Sequence, residues 1–353
     1  MKKSLVALAV LAGFAGAAAA QSSVTLFGVI DVAARYTKAN GQDTKQLSND
    51  GSSSSRLGVR GVEDLGGGLK AGFWLEAALS ADSGTADSTR FWGRRASVSL
   101  MGDFGEVRLG RGKTSTRLVV DDFDVYTTTG LGDVTRLYST FGLGTSLYDT
   151  NNRADNLVQY FLPSDLGGVY GSFDVAAGEG AQGKKMYGGR LGYKAGDLNV
   201  AGGYQTTDTQ NTKFKQLSLG ASYDFKVVKV SGLYSQLKLS SYKQNIYTIG
   251  AVVPVTAAGS VTAQFSKAST NSAADALITA PSATNATPIN GAGDSKAFTI
   301  GYLHNLSKRT ALYSTASYIK NDGNANFRVG NNAVAAARGG KSGGLDVGIK
   351  HSF

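Results

Sequence analysis

The sequence predicts an all-β protein, a 16-stranded antiparallel transmembrane β-barrel, and three observations carry that prediction. Residues 1–20 have the form of an export leader. The remaining chain alternates apolar and polar residues in segments of about ten. The connections between those segments alternate between short and long, as they do in barrels that cross a membrane.

Composition removes the main rivals. The 353 residues include 47 Gly, 4 Pro and no Cys. So much Gly weakens helices and argues against a helix bundle or a typical α/β enzyme, and so little Pro excludes a collagen-like chain. The charged fraction of 18% lies below the average of about 25%, which excludes a disordered polyelectrolyte. Without Cys there is no disulfide framework, thiolate metal site or Cys nucleophile.

The leader, MKKSLVALAVLAGFAGAAAA, places Lys2 and Lys3 before an apolar core from Leu5 to Phe14 and ends in small residues, so cleavage is expected between Ala20 and Gln21. Residues 21–353 then form one barrel domain, and loss of the two lysines lowers the formal charge from +10 to +8. An exported basic chain has no nucleic acid to meet; its negative partners are lipid headgroups, lipopolysaccharide and small anions. No apolar run long enough for a membrane helix follows the leader, so a membrane crossing requires a closed barrel.

Taken in order, the first segment sets Val24, Leu26, Gly28, Ile30, Val32, Ala34 and Tyr36 on one face and Thr25, Asp31 and Arg35 on the other. Leu57, Val59 and Gly61 oppose Arg56 and Arg60, while Leu69, Ala71, Phe73, Leu75 and Ala77 oppose Lys70, Trp74 and Glu76. Val98 and Leu100 oppose Arg95, Ser97 and Ser99, and Val107 and Leu109 oppose Glu106 and Arg108. The same period runs through 217–225, 228–234, 312–318 and 345–353. Short turns are expected at 64–68, 102–105, 163–168, 195–197, 225–227, 254–259 and 305–309. Longer polar stretches fall at 37–54, 80–89, 114–150, 178–185, 206–213, 238–244, 269–293 and 321–341. These 15 connections join 16 strands, and the residues available match tilted membrane strands of roughly 9–11 residues plus loops. A polar face lining water and an apolar face meeting lipid need no packed interior, and Gly within strands suits a wide barrel better than a soluble sandwich.

The start SSVTLFGVIDVAARY, the runs SSSRLGVRGVEDLGGGLKAGFWLEAAL and FWGRRASVSLMGDFGEVRLGR, and the ending VGIKHSF closely resemble the trimeric general porins of β- and related proteobacteria, most strongly over residues 22–111. The resemblance implies a homotrimer in the outer membrane, a cofactor-free, non-enzymatic channel for passive diffusion of small hydrophilic solutes and ions, and a third loop folded inward. The longest connection, 114–150, is the candidate for that loop. Phe353, preceded by apolar residues at alternate positions, resembles the terminal signal read by the outer-membrane assembly machinery, although Ser352 stands where the family often has a basic residue.

The resemblance also implies a constriction in which basic wall residues face acidic ones. By motif the basic set is Arg56 in SSSRLG, Arg95 in FWGRRASV and Arg153 in NNRADN, with Arg60 on the face of Arg56. Strand parity points each of these into the lumen and places Arg94 outside. Glu76 is the expected acidic partner on the wall, and Asp121, Asp122 and Asp124 of the long loop would supply the opposing edge. More positive than negative charge at the narrowest point favours anions. The same arginines could instead form a binding ladder in a channel selective for one anion or carboxylate class.

Other motifs carry little. AAARGGKS at 335–342 and GEGAQG at 178–183 fit loose phosphate-loop and dinucleotide patterns, but both lie in loops with no helix behind them. His304 and His351 are the only histidines, so a His-based metal or catalytic cluster has no support.

Overall fold

A computed structural model of the chain describes residues 23–353 apart from 88, 140, 142–148, 182, 210–211, 277–292, 331–333 and 335. The expected leader and its cleavage point therefore lie outside the described residues.

In chain order the strands are β1 (Ser23–Ala39), β2 (Gln42–Asn49), β3 (Arg56–Gly66), β4 (Leu69–Ser80), β5 (Thr85–Ala86), β6 (Arg95–Gly102), β7 (Gly105–Lys113), β8 (Arg153–Phe161) and β9 (Val169–Ala176). They continue with β10 (Met186–Ala195), β11 (Leu198–Asp208), β12 (Lys213–Asp224), β13 (Lys229–Leu239), β14 (Tyr242–Pro254), β15 (Gly259–Thr270), β16 (Ser295–Asn305), β17 (Thr310–Asn321) and β18 (Lys341–Ser352). Sixteen of them make the wall, and β18 closes on β1 over a register running from Val29↔Ser352 to Ala39↔Ser342. The short β2 and β5 extend β1 and β4 at the long-loop rim. Closure pairs every wall strand on both sides, the condition for a sheet to sit in lipid.

Period two has the expected consequence. Along β12 the outward Leu219 and Tyr223 are exposed while the inward Gln216, Ser218 and Ser222 are buried; along β18 Leu345, Val347 and Ile349 are exposed while Asp346 is buried. The outward set forms the lipid-facing belt. All seven short turns fall where the sequence places them, at the rim that also holds Ser23 and Phe353.

The other rim differs from expectation in two places. The polar stretch 37–54 is largely sheet: β1 runs on to Ala39 and turns through Asn40 and Gly41, whose φ values of 50° and 75° fit a two-residue hairpin turn, into β2. The stretch 238–244 reduces to a turn at 240–241 between β13 and β14. Polar residues beyond the membrane continue strand pairing in water, so polarity alone does not end a strand there.

A further difference concerns the interior, which is packed on one side. The long loop carries a helix, α1 (Ser115–Phe123), and folds into the lumen against β9–β13 and onward to β16–β18. Val119, Val120, Phe123, Leu131, Leu137 and Tyr138 of the loop are buried against Leu233, Leu237, Ile246 and Ile319 of the wall. Polar anchors join them: Tyr138 donates to Ser235 Oγ at 2.7 Å, Gln244 Nε2 to the Leu137 carbonyl at 2.8 Å and Gln264 Nε2 to the Gly132 carbonyl at 2.8 Å. Wall glycines make this approach possible. A Cβ on Gly220 would lie 2.7 Å from Phe123 Cε2 and nearer still to Cγ and Cδ2, and one on Gly250 would lie 2.6 Å from Val125 Cγ2. These glycines are notches that receive loop side chains.

Candidate functional site

Because the loop covers the lumenal face of β9–β18, the open side of the lumen is the wall made by β3, β4, β6, β7 and β8. A cavity of about 400 Å³ lies there, lined by Phe27, Arg56, Trp74, Glu76, Arg94, Arg95, Arg108, Gly112, Lys113, Leu118 and Arg153. A second, of about 420 Å³, adjoins it and shares Trp74, Arg95 and Arg108 while adding Arg60 and Glu106. Among the described residues, five arginines and one lysine thus surround the first cavity, with Glu76 as its single carboxylate.

Each group is held by its strand. Arg56 opens β3 and Glu76 sits on neighbouring β4, their charged atoms 3.9 Å apart. Arg56 also donates through Nη1 to the Ser54 carbonyl at 2.9 Å. Arg153 opens β8 and donates through Nε to the Arg94 carbonyl at 2.9 Å. Arg95 donates to Ser97 Oγ at 2.8 Å and stacks over Trp74, with Cζ 4.5 Å from the ring centroid. Arg60 approaches Trp74 and Phe27 at 5.0 and 5.3 Å. Trp74 in turn donates its indole N–H to Glu76 Oε2 at 3.1 Å. One aromatic side chain therefore ties two guanidiniums and the carboxylate together, a geometry in which a cation gains from the ring face.

Arg94 corrects the parity argument. It does not face outward: it lines the cavity and makes the shortest contact to Glu76, Nε to Oε1 at 2.6 Å. It stands just before β6, where alternation does not yet apply. Arg108 and Lys113, both on β7, are further cavity residues missing from the expected set. Arg108 was already on the lumenal face by parity, and that signal sufficed to include it.

The loop carboxylates behave differently from a free acidic edge. Asp121 is half-buried between Lys113 and Arg117, at 2.5 and 2.8 Å. Burial works to raise its carboxyl, but those two cations hold it below the ordinary range. Asp122 pairs with Arg190 of β10 at 2.8 Å, and burial leaves its carboxyl above the ordinary value despite that partner. Asp124 is a correction: it is 2% exposed and accepts from the backbone N–H groups of Tyr126, Thr128 and Val134 at 3.2, 2.9 and 3.3 Å. Burial, with Asp133 nearby, pushes its carboxyl up to about 7. It organises the loop and takes no part in lining the cavity. The loop's direct contribution to the lining is Leu118.

The barrel as a whole has counterparts among known proteins. The profile of the Gram-negative porins matches residues 7–324. The chain belongs to that family. It is 40% identical to outer membrane porin protein 32 of Delftia acidovorans, with all of both chains covered, and 30% identical, again over both full chains, to an outer membrane porin of Bordetella pertussis. Among solved structures, an anion-selective porin from Comamonas acidovorans superposes with a TM-score of 0.81 at 35% identity, covering 94% of this chain and all of the other. OmpT of Vibrio cholerae, in a trimer form, shares the fold at a TM-score of 0.65 and 14% identity, covering 94% of this chain and 99% of its own. The protein is therefore an outer-membrane porin, a non-enzymatic barrel channel of the Gram-negative envelope.

Proposed function

We propose that this porin passes small hydrophilic solutes and ions by passive diffusion with a preference for anions, and that Arg56, Arg60, Arg95 and Arg153, together with Arg94, Arg108 and Lys113, set that preference. The observation that carries this reading is the excess of six cations over one carboxylate around the cavity beside α1. Like charges gathered in a water-filled constriction raise the local concentration of counter-ions and oppose co-ions. Arginine keeps its charge throughout the physiological range and holds a fixed orientation. The likeness in fold and sequence to an anion-selective porin of Comamonas acidovorans supports this reading.

Three further assignments belong to the same proposal. Residues 1–20 are a leader removed between Ala20 and Gln21. The barrel assembles as a homotrimer, and its lipid face meets outer-membrane lipid and lipopolysaccharide. Phe353, whose backbone exchanges 3.1 Å hydrogen bonds with Gly28 and whose ring fills the space where a Gly28 Cβ would stand, is presented at the terminal edge to the assembly machinery.

The test is a planar-bilayer current–voltage curve under a salt gradient, comparing wild type with a variant carrying Arg56, Arg95 and Arg153 all replaced by Gln. Large stepwise conductance and an anion-favouring reversal potential that moves towards cations in the variant are expected. A cation-favouring wild-type reversal potential would overturn the assignment. Saturation of the current by one carboxylate at low concentration would instead favour the substrate-selective channel.

A further inference from the structure

The water-facing code of the wall is broken beside the constriction. Phe27 of β1, Val62 of β3, Trp74 of β4 and Met101 of β6 carry largely apolar side chains at lumenal parity, and Val62 is 43% exposed there. Val62, Trp74 and Met101 line the second cavity, which lies on the short-turn side of the first, because Val62 and Met101 stand next to the turns at 64–68 and 102–105. Gly72 gives this cavity its floor. A Cβ there would lie 3.0 Å from Met101 Cε and 3.7 Å from Val62 Cγ2, so those two side chains meet over a residue that has none. Inorganic ions gain nothing from such a surface, whereas an apolar floor with a few convergent polar groups is the make-up of a small-molecule site.

The cations above the floor are not equivalent. Arg56 and Arg94 face Glu76, and Arg108 holds Glu106 through Nε and Nη2 at 2.9 and 3.0 Å. Arg95 commits only Nε, to Ser97 Oγ, and Arg60, among the described residues, makes neither a hydrogen bond nor an ion pair. Both are fixed instead by Trp74, with Cζ 4.5 and 5.0 Å from its ring centroid. Their remaining N–H groups are left for an acceptor from solution. A guanidinium stacked on one ring can bond a carboxylate in its own plane and offer its other face to a second ring.

We propose that the second cavity is a retention subsite for carboxylates that bear an aromatic ring, with Arg60 and Arg95 supplying donors to the carboxylate and the ring lying on Val62 and Met101 beside Trp74. Its volume of about 420 Å³ is that of a small-molecule pocket. The proposal rests on the passive-diffusion reading and adds a solute class to it. Retention on one side of the lumen slows that class and leaves the pathway for other ions open.

The experiment records chloride current through the full-length protein in planar bilayers, at neutral pH and constant ionic strength, while benzoate, cyclohexanecarboxylate, acetate or the neutral benzamide is added. Benzoate should reduce the current partially and saturably, half-complete at about one-tenth of the concentration that acetate requires. Cyclohexanecarboxylate should fall between the two, and benzamide should have no effect. In Val62→Ser/Met101→Ser the advantage of benzoate over acetate should shrink to about twofold, as the floor loses its apolar surface. Arg60→Gln should weaken the benzoate effect about tenfold, as expected for one charge-assisted hydrogen bond. A heat-stable barrel is the folding control for both variants. Benzoate no more effective than acetate or cyclohexanecarboxylate would overturn the proposal, a comparison that needs only the wild-type protein. So would an undiminished advantage in the floor variant. The reversal potential in chloride alone tests the ion-preference reading separately.

Discussion

Phe123 and Gly220 should behave as one unit. Phe123 ends α1 and is 1% exposed, its ring lying over the spot where any larger residue at position 220 would place Cβ. In Gly220→Ala the new methyl would stand 2.7 Å from Cε2 and closer to two other ring carbons. Carbon atoms pack best at about 3.5–4.0 Å, so the ring must retreat by roughly 1 Å or more and carry the end of α1 into the lumen. Overpacking of this kind costs about 1–3 kcal/mol. Phe123→Ala removes the wedge and forfeits about 3–5 kcal/mol of loop docking. In the double variant the methyl of residue 220 enters the space the ring has left, so the two losses should fall short of their sum by about 0.5–3 kcal/mol. Single-channel recording is the assay, with the frequency and amplitude of current flicker reporting loop detachment. Gly220→Ala alone should lower open-channel conductance and Phe123→Ala should raise flicker, while the double variant should flicker no more than Phe123→Ala alone. Strict additivity, or single variants indistinguishable from wild type, would refute the view that the wall glycine is a socket for the loop.

Other predictions follow from the same contacts. Glu76→Gln removes the carboxylate shared by Arg94, Arg56 and Trp74, and the reversal potential should move further towards anions. Trp74→Leu should loosen Arg60 and Arg95 and reduce anion preference severalfold, since such ring contacts contribute about 0.5–1 kcal/mol at hydrated sites, whereas Trp74→Phe, which keeps a ring, should stay close to wild type. Asp124, with its carboxyl raised from 3.8 to about 7, binds a proton more tightly in the docked loop than in a detached one. Its contribution to docking is therefore full below about pH 4 and is lost as pH rises to about 7. Flicker should grow over that window in wild type and lose this dependence in Asp124→Asn. Asp346→Ala should lower the barrel's heat-stability sharply, because it strands Arg35, held at 2.7 and 2.6 Å on a pair almost wholly buried; removing one partner of such a pair costs about 3–5 kcal/mol.

The barrel was legible in the sequence because lipid on one side and water on the other force a period-two code on nearly every strand. The family motifs singled out Arg56 and Arg95, and the same code set them, with Arg60 and Glu76, on the polar face; all four lie within strands or at their first residue. It misplaced Arg94 because that residue precedes its strand, and a rule of alternation has no phase where the backbone is not extended. The inward loop was implied by the family resemblance, and its length picked out which connection it is. Its seating was not, since the cause lies in pairings between distant residues, such as Phe123 with Gly220 and Val125 with Gly250, in which one partner has no side chain to advertise the contact. The aspartates show the complementary difficulty: their charge was visible, but whether it faced water, a lysine or three backbone N–H groups depended on the path of the loop.

The seam between β1 and β18 bears on how the chain is made. Val29 pairs with Ser352, so the contact that closes the wall joins the first strand to the last. Loop-closure entropy and long sequence separation make such a contact slow to form. Until it forms, β1 and the growing edge present unpaired backbone groups that hydrocarbon cannot satisfy. A chain lacking its last strand has no second way to close. Insertion therefore has a built-in completeness check: only a polypeptide carrying both of its edges can become a stable wall in the membrane.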